Sequence, residues 1–236
     1  MTRGVYRVTQ TFPLAPGTGR LILQLPQWLP GNHGPRGPLA ELVDLRFEAD
    51  GKPVAWRRDP VEVYAFHIDL PEGAQRLVAR FIHTSPLESD EGRVTMTREM
   101  LNLQWEKMSL YPAGHYVRRI PVRPSVTFPA GWSDAAALDG RQASGNRVTW
   151  AATDYETLVD SPIFAGQFMR RWNLGRGVIA NVMADEPALL NARPEDMASL
   201  NALVEEAHLL FGRPAFDRYE FLIALTNRMG SIGLEH

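Results

Sequence analysis

The sequence has 236 residues, 44% apolar and 22% charged, with a net charge of −2 and no cysteine. That balance suits one large β domain, or one domain and part of a second, and does not suit a disordered chain. Without thiols there is no disulfide, thiolate metal site or cysteine nucleophile, and no Lys/Arg run exceeds two residues, so no basic stripe offers itself to nucleic acid.

Residues 1–170 read as β. The stretches 5–11, 20–25, 42–49, 61–70, 75–83 and 147–151 are short and rich in β-branched and aromatic residues. Turn clusters such as Ala15-Pro-Gly-Thr-Gly19 and Asp50-Gly-Lys-Pro53 bound them, and Val61-Glu-Val63-Tyr-Ala-Phe66-His-Ile68 alternates as a half-buried strand does. Regular short strands between such turns predict a two-sheet sandwich or a saddle-like pair of sheets. Trp28, beside the Pro30-Gly31 turn, Trp105 and Trp150 are assigned to its core.

After residue 170 the texture changes. Residues 178–183 form a short apolar strand candidate. Pro194 then opens a helix, with Glu195 and Asp196 in the first turn where the helix dipole favours acids. Met197, Leu200, Val204, Ala207 and Phe211 recur at spacings of three and four as one apolar face, and Gly212 and Pro214 end the helix near residue 211. The run Phe221-Leu-Ile-Ala-Leu225, within 219–226, predicts a strand buried on both faces. Strand, helix and strand open an α/β layer that the chain leaves unfinished. The expected division is therefore a β domain over 1–170 and a truncated second domain over 171–236.

The stock motifs of catalysis fail. Gly17-Thr-Gly19 lacks the third glycine of a dinucleotide loop, and Gly230-Ser-Ile-Gly233 is one residue short of a nucleophile elbow. The six histidines, at 33, 67, 83, 115, 208 and 236, include no pair four apart, the spacing that puts two imidazoles on one helical face around zinc. Asp154, Glu156 and Asp160 read as solvated loop acids. No catalytic residue and no metal site is expected within this chain. No run reaches membrane-spanning length and the opening lacks the apolar core of a secretion signal, so the chain reads as soluble with no membrane partner. Because both ends look trimmed, the compartment stays open.

Four stretches are more specific: Gln24-Leu-Pro-Gln-Trp28-Leu-Pro-Gly-Asn-His33, Ser109-Leu-Tyr111-Pro-Ala-Gly-His115-Tyr, Asp154-Tyr-Glu-Thr-Leu-Val-Asp160-Ser-Pro, and Tyr219 through Gly233-Leu-Glu-His236. In this order the chain resembles the glycyl aminopeptidase family of zinc metallopeptidases. Members show Trp-x-Pro-Gly early, a Leu-Val-Asp-Ser-Pro junction and Gly-Leu-Glu-His after a buried strand. The resemblance implies an N-terminal β domain followed by a thermolysin-like catalytic domain, often with a PDZ domain beyond.

Its zinc-binding His-Glu-x-x-His helix would lie past residue 236, so zinc belongs to the longer parent enzyme and this chain alone is expected to be inactive. The implied substrate is a peptide with a small amino-terminal residue, glycine or alanine. Glu235 would then hold the substrate's α-ammonium through a charge-assisted hydrogen bond, with Gly233 and His236 beside it. The alternative is that Leu234-Glu235-His236 is the remnant of an expression tag and Glu235 an exposed terminal acid. His33, Tyr111 and His115 are candidate cleft-lining residues, against ordinary surface-turn positions. A rival reading of the whole chain is a free-standing β-sandwich module that binds peptide or carbohydrate. In either case the open sheet edge makes a homodimer an expectation.

Overall fold

The computed structural model describes residues 4–28, 34–214, 216–230 and 233. Strands hold 42% of the chain and helices 16%, so the fold is mainly β. Val5–Pro13, Arg76–Thr84, Leu42–Ala49 and Lys52–Val54 lie side by side in that order as one antiparallel sheet. Trp56–Arg58, Ala65–Asp69, Arg20–Gln24 and Tyr111–Pro112 form a second.

The two sheets share one core. Phe47, Leu77, Ala79 and Phe81 from the first meet Leu23, Phe66 and Ile68 from the second. Trp56 sits edge-on between Phe47 and Phe66, with ring centroids 6.0 and 5.7 Å away. A polar bracket also ties the second sheet's neighbourhood to the first. The Gln10 side chain donates to Leu110 O at 2.6 Å and accepts from Leu110 N at 2.9 Å. One amide thus replaces a rung of sheet pairing for a backbone that has no strand beside it.

Two expectations in this part need correction. The strand expected over 61–70 begins only at Ala65, because Asp59 Oδ1 accepts from the Val61 and Glu62 amides at 2.9 Å each and holds that stretch as a turn. Trp28 is not core but 63% exposed. Leu25 fills the core position, and Pro26, with no N–H to donate, leads the chain out of the ladder. Trp150 is buried as expected and Trp105 half-buried.

Two three-stranded sheets extend the same core, one ordering Ser125–Thr127, Arg147–Thr149 and Gln142–Ser144, the other Ser133–Ala136, Ile163–Gly166 and Met100–Leu103. A short helix, Tyr155–Val159, joins this region, and its N-cap Asp154 accepts from Thr157 N at 2.9 Å. Glu156 in its first turn takes Arg118 at 2.6 Å. These two acids are therefore helix-terminus groups, not loop acids.

The last layer is the expected strand, helix and strand. Met169–Gly175 pairs antiparallel with Val178–Ala184, which pairs parallel with Tyr219–Leu225, and the helix Pro194–Phe211 makes the crossover. An ion pair from Arg176 to Glu205 at 2.8 Å links the helix to the turn between the two antiparallel strands, while Arg193 to Asp196 at 2.7 Å closes the helix's own first turn. Helix bounds agree with the sequence, but burial does not. Met197 and Val204 pack against Leu174, Val178 and Ala180, whereas Phe211 is 80% exposed and Leu200 40%. The terminal strand likewise covers one face only. Leu222 and Ala224 pack toward Met100, Ala135 and Met183, while Phe221, Ile223 and Leu225 stay open to solvent. As the last strand of this sheet among the described residues, it is an edge rather than a centre.

Candidate functional site

Where the last layer meets the β domain, a cavity of about 340 Å³ opens between Met100–Leu103, Ile163–Gly166 and Tyr219–Leu225. Met100–Leu103 is buried along its whole length, and its Asn102 lies opposite Phe164 in the ladder, so both reach the cavity wall. The Asn102 backbone is fully engaged, with N–H donating to Thr95 O at 2.8 Å and C=O accepting from Tyr6 Oη at 3.2 Å. Its side-chain Oδ1 is buried with no partner among the described residues, and the same holds for Oε1 of Gln104, two residues on and also in the wall. Buried acceptors left unpaired cost free energy, which a ligand N–H can recover.

Charge surrounds these amides. Glu220, buried at the floor, collects Arg171 at 3.2 Å, Arg218 at 3.3 Å and Asn181 Nδ2 at 2.6 Å, and is neutralised by them. Arg218 also reaches Asp139 at 3.1 Å. Behind Gln104, Glu106 is buried, and that burial pushes its carboxyl up to about 7 despite the cations Lys107 and Arg93. Burial also lowers Lys107 and Arg93 from their ordinary values. Asp160, read from sequence as a solvated acid, lines the cavity and adds to the field on Glu106.

Of the residues singled out by sequence, Gly233 lines this cavity. His33, Glu235 and His236 lie outside the described residues. Tyr111 and His115 sit elsewhere. Tyr111 is half-buried at the rim of the second sheet, its ring 5.2 Å from Tyr155, whose hydroxyl meets Ser109 Oγ at 2.8 Å. His115 is exposed in the turn that follows. Sequence reasoning missed Asn102 and Gln104, although a signal was present. Met100-Leu-Asn-Leu-Gln-Trp105 carries two amides at alternate positions of an apolar run, which an extended chain presents on one face. Among the described residues, no group of three or more His, Asp or Glu side chains converges as a metal site. No described helix is long and apolar enough to cross a membrane.

A β domain leading into an α/β layer, with a cavity at the seam, is a fold shared with solved aminopeptidase-like structures. It superposes on an aminopeptidase N family protein from Idiomarina loihiensis with a TM-score of 0.76 and 17% identity, covering 99% of this chain and 38% of that one. It also superposes on yeast LTA4 hydrolase in complex with bestatin, with a TM-score of 0.54 and 14% identity, covering 93% of this chain and 35% of that one. At such identities the likeness establishes the fold, and the chain spans little more than a third of either protein. Residues 1–167 match the Peptidase M61 N-terminal domain, and the chain belongs to that family. The resemblance to a zinc metallopeptidase N-terminal domain is thereby borne out. No curated protein matches the sequence.

Proposed function

We propose that this chain is the amino-terminal part of a zinc-dependent aminopeptidase that removes small residues, glycine or alanine, from peptides. On this reading residues from 171 onward begin the catalytic domain, and the chain supplies one wall of the substrate cleft. The observation that carries it is the cavity at the seam, where buried acceptors of Asn102 and Gln104 have no partner among the described residues, in a wall that Gly233 also lines. Amide oxygens there accept from the N–H groups of a peptide's amino-terminal end, and Glu235, next along the chain with His236, supplies the negative charge that an ammonium requires.

The described residues do not fit a zinc site, so no step of the reaction is routed through them to a metal. Zinc would be held by residues beyond this chain and would activate water for attack on the scissile carbonyl. The chain by itself should be inactive.

The test is a longer product of the same gene, assayed with free-amine and N-acetylated glycyl peptides. Glu235→Gln should lower kcat/KM for the free-amine peptide about 10- to 150-fold, the value of one charge-assisted hydrogen bond, and barely alter the acetylated one. Equal losses on both substrates, or none, would remove Glu235 from the site. No hydrolysis of any free-amine peptide would favour the binding-module reading. We further infer that the open edge at Tyr219–Leu225 lets two copies of this chain associate. Light scattering should then show a concentration-dependent dimer, lost in Ile223→Lys.

A further inference from the structure

Among the described residues around the cavity, Arg93 stands apart from the ion pairs. Arg171 and Arg218 both reach Glu220, and Arg218 has Asp139 as well. Arg93, also in the cavity wall, makes no hydrogen bond or ion pair with the described residues. It is half-buried, so water does not fully compensate it. Glu106 attracts it, but burial raises that carboxyl to about 7 and so weakens the attraction near neutral pH, while Lys107 adds repulsion. A Cβ built on Gly230 would meet Arg93 Cγ at 3.4 Å, so the arginine's stem lies against Gly230 while its residue lines the cavity.

We propose that Arg93 is a specificity residue of the cleft, binding a substrate carboxylate. A guanidinium presents a planar fork that takes a carboxylate through two parallel N–H donors. With the acceptors of Asn102 and Gln104 in the same wall, the cavity offers donors and acceptors together. The ligand that uses both carries N–H groups and an anionic end. Two sources of that carboxylate fit: the free carboxyl terminus of a dipeptide, or an acidic side chain on the residue after the amino-terminal one. The peptide source rests on the reading of this cavity as an aminopeptidase cleft; the carboxylate site does not.

Titrations of the 236-residue chain, followed by NMR at the Arg93 Nε–H and at the Gly233 amide, separate these points. Acetate should shift the Arg93 resonance and acetamide should not. Gly-Gly should bind on the order of tenfold more tightly than Gly-Gly-amide if the terminus is read, and Gly-Asp-amide should beat Gly-Asn-amide by a similar factor if the side chain is read. Arg93→Gln should abolish whichever preference is seen, and Arg93→Lys should retain part of it. Should Arg93→Gln not fold, the wild-type resonance and the lysine variant decide alone. A response to acetate with no binding of any peptide would uphold the carboxylate site and remove the peptide as its source. No response of Arg93 to acetate or to either acidic peptide, or a preference that survives Arg93→Gln, would overturn the proposal.

Discussion

His83 and Glu106 are both withdrawn from water, and burial shifts both toward the uncharged form, with opposite consequences for stability. Burial lowers the His83 imidazole to about 4 from an ordinary 6.5, with Lys107 adding repulsion. In that window the unfolded chain binds a proton that the folded chain does not, so this group's stability is lost as pH falls. Glu106 is raised from 4.5 to about 7, so in its window the folded chain holds the extra proton, and stability is lost as pH rises. Glu41, 3.5 Å from His83 Nε2, and Tyr6, with its ring 5.8 Å away, complete the surroundings of the imidazole. The two slopes oppose each other between about pH 4.5 and 6.5, and the wild type should show a shallow profile there. Glu106→Gln removes the falling slope. Its stability at pH 8 relative to pH 5 should rise over wild type by on the order of 1–3 kcal/mol in urea unfolding. Parallel profiles would show that Glu106 does not titrate in that range. The amides of Asn102 and Gln104 were legible in sequence as a polar alternation. Arg93, Glu106 and His83 were not, because their burial depends on segments distant in sequence packing over them.

At the scale of elements, Gln10 and Leu110 offer a direct measurement. Gln10→Ala leaves a backbone N–H and a C=O without their partner in a part-buried setting, and should cost about 1–3 kcal/mol. A loss under half a kcal/mol would mean that water replaces the amide. The crossover helix makes a second test. Val204→Ser should cost about 1–2 kcal/mol in urea unfolding because Val204 packs on the sheet, whereas Phe211→Ser should stay within about half a kcal/mol. Equal costs would mean that Phe211 is covered in solution. The helix itself was legible from Pro194, Glu195, Asp196 and Gly212, each a terminus signal. Its exposure was not, since periodicity reports which residues are apolar and not how much sheet lies beneath them. The strand at Phe221–Leu225 misled for the same reason, and Asp59 hid a turn inside an alternating pattern.

For the molecule as a whole, the β character, the crossover and the family could be read from the sequence, and the seam cavity could not, because it forms from three strands far apart in the chain. That long reach also governs how the protein is made. Val5–Pro13 pairs with Arg76–Thr84, and Gln10 finds Leu110 a hundred residues later. At about 5–20 residues per second, the first strand leaves the ribosome several seconds before either partner exists. Throughout that interval Tyr6, Val8 and Phe12 are uncovered on a newborn chain, interspersed with Arg7, Thr9 and Thr11, which keep every second position hydrophilic. Replacing Thr9 and Thr11 with valine would leave the finished sheet intact, yet lower soluble yield during synthesis, when the strand is open to pairing with other nascent chains.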